Sequence, residues 1–262
     1  MTIRGPEVEV LGPVVVRGAA EPFHRSAALE LVVYLAFHRG GVRHAEWSLA
    51  IWPERPVAPP TVHSTSSDAR RALGRAPDGS PHLPRGCTLR LRDSVTTDVE
   101  RFASLSSSER PDRLCEAMQM IRGPLFGGLR RADWAVFDGT QSCIETLVVR
   151  TALRAADACM ARGLGGEAAS MVRRALRVSP YDERLYRALL RATAAQGNRV
   201  GLRSTMAELL TLAGEPGTGH AESPQVGRPD EARLGCLHPE TTDLYRGLLD
   251  GLPVAEGLPA RL

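Results

Sequence analysis

The chain contains no lysine; every one of its 33 basic side chains is arginine. That absence removes whole classes of chemistry, because phosphate-loop NTPases, protein kinases and Schiff-base enzymes each need a lysine amine at a fixed place. Also missing is any C-x-x-C pair: Cys87, Cys115, Cys143, Cys159 and Cys236 are dispersed. In a chain of this size that spacing predicts buried, reduced thiols rather than a disulfide frame or a zinc site. Long apolar runs are lacking too. The opening, MTIRGPEVEVLGP, resembles no secretion signal, and the most apolar run, LVVYLAF at 31–37, is far too short to span a bilayer. The expectation is a cytoplasmic protein with no membrane partner. Carboxylates and histidines do not recur at the spacing of a metal site or an acid–base pair, and His220 and His238 fall in or beside the loosest stretch. No enzymatic activity, cofactor, metal or small-molecule ligand is expected.

What is present fits a soluble globular protein of 262 residues, long enough for one large or two ordinary domains. A formal net charge of +3 is too small to mark a nucleic-acid binder, but its distribution is uneven. Between Thr61 and Arg92 stand six arginines (70, 71, 75, 85, 90 and 92) against two acids, Asp68 and Asp78.

The amino-terminal pattern reads as strands followed by helices. VEVLGPVVVRG (8–18) predicts two short strands around a Gly-Pro turn. SAALELVVYLAFHRGG (26–41) offers a serine cap, an apolar helix and a glycine stop; HAEWSLAIWPE (44–54) is a second helix ended by Pro53. In TVHSTSSDARRALG (61–74), Val62, Ser66, Ala69 and Leu73 form one mildly apolar helical stripe, with Gly74 as the stop. His63, Ser64, Ser67, Arg70 and Arg71 fall opposite that stripe. HLPRGCTLRLRDSVTTDV (82–99) reads as a hairpin, with Arg85 near its turn and Arg90 and Arg92 alternating with leucines.

Strands, three helices and a basic hairpin are the order of a winged helix-turn-helix, whose third helix can enter a DNA major groove. Taken singly, two arginines at a helix end are solvated charge favoured by the helix dipole. Their assembly with the hydroxyls and the hairpin is what points to DNA. The candidate DNA-binding residues are His63, Ser64, Ser67, Arg70, Arg71, Arg85 and Arg90. Asp68 counts the other way unless Arg71, three residues on, neutralises it.

From about Asp98 the pattern is helical almost throughout. RGLGGEAASMVRRAL (162–176) and QGNRVGLRSTMAELL (196–210) align at an offset of 34, the period of tetratricopeptide helix pairs. Gly163 is the turn, and Ala168, Val172, Ala175 and Pro180 supply that motif's small, large, small and breaking residues. The stretch 214–237 is rich in Gly and Pro and is expected to be a mobile loop. HPETTDLYRGLLDGL (238–252) resumes a helix, with Leu244, Leu248 and Leu249 predicted to face the body.

VEVLGPVVVRG, IWPERP, ARRALG, TTDVERF, RGPLFGGLRRADW, RVSPYDERLYRALLRA and HPETTDLYRGLL carry a resemblance, running from Val8 to Leu249. Their order resembles the Streptomyces antibiotic regulatory protein (SARP) family, in which a winged helix precedes a bacterial transcriptional activator domain. The resemblance implies a mainly α fold: an α+β winged helix-turn-helix over 1–97, an all-α tetratricopeptide-like domain over 98–252 and a tail over 253–262. It places Ser64, Ser67, Arg70 and Arg71 on the recognition helix and Arg85 in the wing. It further implies a transcriptional activator of biosynthetic or developmental genes that binds promoter direct repeats of double-stranded DNA as a homodimer, its helical domain contacting RNA polymerase. The alternative is a protein-interaction scaffold whose winged helix no longer binds DNA.

Overall fold

The computed structural model describes residues 5–54, 56–214 and 234–252. β1 (Glu7–Glu9) and β2 (Val15–Arg17) pair antiparallel with Glu7 opposite Arg17, as the β-branched run predicts. Between them Gly12 has φ 151°, and a Cβ there would lie 2.7 Å from that of Arg122. Only glycine permits this approach. It lets residues 122–127 lie along the turn, with the Arg122 amide donating to the Leu11 carbonyl (2.7 Å) and that of Phe126 to Val10 (3.0 Å).

α1 (Ser26–Phe37), α2 (His44–Ile51) and α3 (Pro59–Leu73) follow, and α1 packs on both of the others. Ser26 is the first helical residue and not the cap; Arg25 holds that position and makes no side-chain capping bond. α2 stops at Ile51, short of Pro53.

The expected hairpin at 82–99 is not a self-paired ladder. β3 (Val42–Arg43) takes β4 (Thr88–Leu89) as its antiparallel partner, and β5 (Thr96–Thr97) runs parallel to β1. The reason lies in the first arm, where Pro84, like Pro81 just before the arm, has no amide to donate. One backbone bond, Arg92 N–H to His82 O at 3.0 Å, links the two arms. The alternation itself holds: Leu89 and Leu91 are buried while Arg90 and Arg92 are exposed.

Beyond lie α4 (Asp98–Ser106), α5 (Pro111–Gln119), α6 (Asp133–Phe137), α7 (Thr140–Met160), α8 (Gly165–Leu176), α9 (Glu183–Ala194), α10 (Arg199–Ala213) and α11 (Pro239–Asp250). The fold is mainly helical with a winged amino-terminal part. The run 120–132 is not helical as expected, because Gly123, Pro124, Gly127 and Gly128 break it and its amides turn to residues 10–12. The loop expected at 214–237 lies mostly outside the described residues.

Packing divides the described chain into two compact units, one from Met1–Ser108 with Met120–Leu147, the other from Glu109–Gln119 with Val148–Leu262. This packing division differs from the 97/98 division read from sequence, since the 122–127 segment is hydrogen-bonded to the first strands.

In the first unit the carboxylates of a charge cluster are buried. Asp98 accepts the amides of Val10 (2.9 Å) and Leu11 (3.0 Å), and Arg122 reaches Glu9 (3.2 Å) and Asp98 (3.5 Å). Glu30 is fully buried and pairs with Arg131 at 3.3 Å.

In the second unit the 34-residue offset governs the interior. Gly163 and Gly197 both sit in the left-handed region, at φ 72° and 67°. α9 starts and ends 34 positions after Val149 and Met160 of α7, and α10 starts 34 after α8. Ala168, Met171, Val172, Ala175 and Leu176 are buried, as are their equivalents Leu202, Thr205, Met206, Leu209 and Leu210. On α11 the buried face is Thr241, Thr242 and Tyr245, whereas Leu244, Leu248 and Leu249 are only half-buried.

Candidate nucleic-acid interface

Pro59 and Pro60 open α3 at positions where a missing amide costs nothing. Fifteen residues later Gly74, at φ 75°, closes it. The predicted stripe of Val62, Ser66, Ala69 and Leu73 is buried, widened by Thr65 and Ala72. Opposite it, His63, Ser67 and Arg71 are exposed. Their spacing of four and four residues puts them in a row along one helix face.

The other α3 residues predicted for the face are tethered at its margins. Ser64 accepts a hydrogen bond from Arg25 (3.2 Å) and donates to the Thr61 carbonyl (3.1 Å). Asp68 pairs with Arg71 at 3.5 Å, as its spacing predicts, and also with Arg25 at 3.3 Å. Its carboxylate is therefore held between two guanidinium groups. Arg70 is half-buried, and its Nε donates to the Leu83 carbonyl at 2.9 Å. Burial, with Arg85 nearby, lowers the Arg70 pKa from its ordinary value.

The stretch after α3 joins this face through two contacts. Arg70 grips Leu83, and His44, the first residue of α2, approaches the Gly86 carbonyl at 3.3 Å. The His44 ring also meets that of His63 edge-on, with centroids 5.6 Å apart. Arg85 is exposed beside this contact. Arg90 is exposed as well but pairs with Asp93 at 3.5 Å, an acid one place beyond the basic window read from sequence. The structure thus brings His63, Ser67, Arg70, Arg71 and Arg85 around one helix face, with Ser64 at its edge, and leaves Arg90 engaged with its own acid.

Sequence reasoning missed two residues that contact this face, Arg25 and His44. Neither belongs to the third helix or the wing, and no spacing rule connects them to it. The burial of the cysteines was also overestimated: all five are free thiols, but only Cys159 is buried, while Cys87, Cys143 and Cys236 are exposed. Among the described residues, no helix is long and apolar enough to cross a membrane, and no cluster of three or more His, Cys, Asp or Glu side chains could hold a metal.

Residues 90–201 match the model of the bacterial transcriptional activator domain family. Over that range the chain is similar to that domain. The matched range begins at the wing and ends inside α10, so it draws on both compact units. Among solved structures, Mycobacterium tuberculosis EmbR in complex with a low affinity phosphopeptide superposes with a TM-score of 0.61 at 20% identity. The alignment covers 95% of this chain and 66% of the EmbR chain, just under two thirds of its length. At that identity the likeness is one of fold. Comparison with curated protein sequences gives no match.

Proposed function

We propose that the chain is a SARP-like, DNA-binding transcriptional regulator that inserts α3 into the major groove of promoter DNA. The observation that carries this reading is the exposed row His63–Ser67–Arg71 on a helix whose opposite face is buried. Hydroxyl, imidazole and guanidinium groups are the donors that base edges and phosphates accept. Arg85 stands beside the row to hold phosphate, and Arg25 offsets Asp68, which would otherwise repel the backbone. Recognition of direct repeats by a homodimer, contact of the helical domain with RNA polymerase and a cytoplasmic location complete the reading.

Arg70 is a positioning residue in this scheme, since its Nε holds the wing. Arg71 and Arg85 are the cleaner probes. In a mobility-shift titration against the gene's own upstream region, Arg71→Ala should weaken binding by about 1–3 kcal/mol if it reads a base. Arg85→Ala should weaken all sequences alike and reduce the salt slope by about one unit. Asp68→Ala should strengthen binding at low salt. Wild-type protein that shifts no upstream fragment at low salt would overturn the proposal.

A second reading is favoured by a specific observation: Arg71 and Arg90 each already hold a carboxylate. A chain whose guanidinium groups are satisfied internally would serve as an interaction scaffold, with no DNA shift and a co-purifying protein on the repeat helices.

A further inference from the structure

Cys115 on α5 and Cys159 on α7 are 44 positions apart in sequence, yet their Sγ atoms are 3.9 Å apart within the second unit. Both are free thiols, and theirs is the only thiol–thiol contact among the described residues. We propose that Cys115 and Cys159 form an oxidisable dithiol, a redox-modification site that a hydroperoxide converts into a disulfide joining α5 to α7.

The two sulfurs are unequal, and the inequality assigns their roles. Cys115 is half-buried, so a small oxidant can reach it, whereas Cys159 is 1% exposed. Burial, and then the adjacent Cys115 thiol, push Cys159 up to about 11, so it stays protonated at neutral pH. Attack on the oxidant needs a thiolate and access to it. The Cys115 thiolate therefore attacks one oxygen of the hydroperoxide; the O–O bond breaks, the alcohol or water leaves with a proton, and Cys115 becomes a sulfenic acid. The Cys159 sulfur then attacks that Sγ. The S–S bond forms, hydroxide departs, and it leaves as water with the Cys159 proton. Two electrons have passed from the thiol pair to the peroxide.

Packing by itself does not demand sulfur at this position. In the next repeat the equivalent of Cys159 is Thr193, which is buried and donates its hydroxyl to the Leu189 carbonyl at 2.7 Å. The disulfide would also close a loop of particular content. The chain leaves the second unit after Gln119 and re-enters it at Val148, so the bond would tie the two ends of that excursion. In a reducing compartment such bonds are transient and redox-sensing rather than structural. This inference does not depend on whether α3 binds DNA.

The test uses the reduced full-length chain, treated natively with a few equivalents of hydrogen peroxide, quenched with N-ethylmaleimide and digested with trypsin without reductant. The expected product links the peptide 114–122 to the peptide 155–162, with a mass two hydrogens below their sum, and dithiothreitol separates them. Cys87, Cys143 and Cys236 should be recovered mainly as unlinked, alkylated peptides. Cys159→Thr, the residue the second repeat uses, should leave Cys115 as a sulfenic acid trapped by dimedone. Cys115→Ser should abolish both products. Oxidation of Cys87 and Cys143 with no linked peptide, or a link that forms only in urea, would overturn the proposal. The wild-type peptide map decides this even if a variant fails to fold.

Discussion

In the first unit three carboxylates are buried, Glu9, Glu30 and Asp98, and arginines from the 120–147 stretch come in to meet them. In the second unit the buried polar groups are threonines, and among the described residues no carboxylate is buried. One unit is fixed by buried carboxylates bonded to groups far away in sequence: Asp98 accepts the Val10 amide at a separation of 88, and Glu30 pairs with Arg131 at 101. The other repeats one apolar pattern, so that neighbouring helices bury one another. The contrast shows two ways of specifying a fold. A buried charge tolerates a single partner arrangement and is costly to break, whereas a repeated apolar seam spreads stability over many small contributions.

The largest expected effect tests that buried charge. Asp98→Ala would strand two amides and leave Arg122 short of a partner, which should cost about 3–5 kcal/mol. Tryptophan fluorescence isolates the loss, because Trp47, Trp52 and Trp134 all lie in the first unit. Asp98→Asn keeps an acceptor and should cost less. The matching disruption in the second unit is Met206→Ala, which leaves a cavity at a fully buried position and should cost about 2–5 kcal/mol. Far-UV circular dichroism should report it while tryptophan fluorescence stays unchanged; a shift in both signals would break the separation of the units.

A smaller effect compares glycines. Gly163→Ala and Gly197→Ala should cost about 1–2 kcal/mol each, because a Cβ there meets nothing within 4 Å and only the left-handed backbone resists. Gly74→Ala should cost more, since its Cβ would lie 2.5 Å from that of Ala20. Equal losses at all three sites in urea melts would refute the argument from close approach.

The smallest effect is at the start of α9, where Asp182 caps the helix and accepts from Arg184. Asp182→Ala should cost about 1 kcal/mol. Burial raises this carboxyl, but the Arg184 side chain and amide outweigh it, and its net pKa is lowered. Its contribution is therefore present above the unfolded carboxylate value and lost as pH falls through the lowered folded value. Asp98 has the opposite sign. Burial raises it despite the Leu11 and Val10 amides and Arg122, so its contribution declines as pH rises from the unfolded to the folded value. Urea midpoints between about pH 3 and 6 should show the Asp182→Ala variant losing part of the wild-type acid sensitivity of the second unit, and Asp98→Asn changing that of the first with reversed slope.

Much of this was legible in the residues. The burial of Val62, Ser66, Ala69 and Leu73 follows from helical periodicity, and Gly74 ends α3 where its type predicts. The offset of 34 is visible in the letters, and Gly163 and Gly197 adopt the same left-handed turn. The pairing of β4 with β3 was not legible, because strands of two residues carry no periodic signal. The clasp of 122–127 on the first turn was not either. Helix is expected through RGPLFGG, and nothing local says that its amides will be satisfied by residues 10–12.

By itself, then, the amino-acid order determined where helices begin and stop and which faces are apolar, since these depend on neighbours within a few residues. It also determined the doubled helix pair, whose helices pack next to one another along the chain. Only the tertiary structure decided which guanidinium groups stay outward. Arg70 and Arg71 are adjacent and chemically identical, yet one holds the Leu83 carbonyl and the other stands exposed beside Asp68 and Arg25. The choice depends on what the folded chain brings within hydrogen-bonding distance, and a one-dimensional pattern holds no record of that.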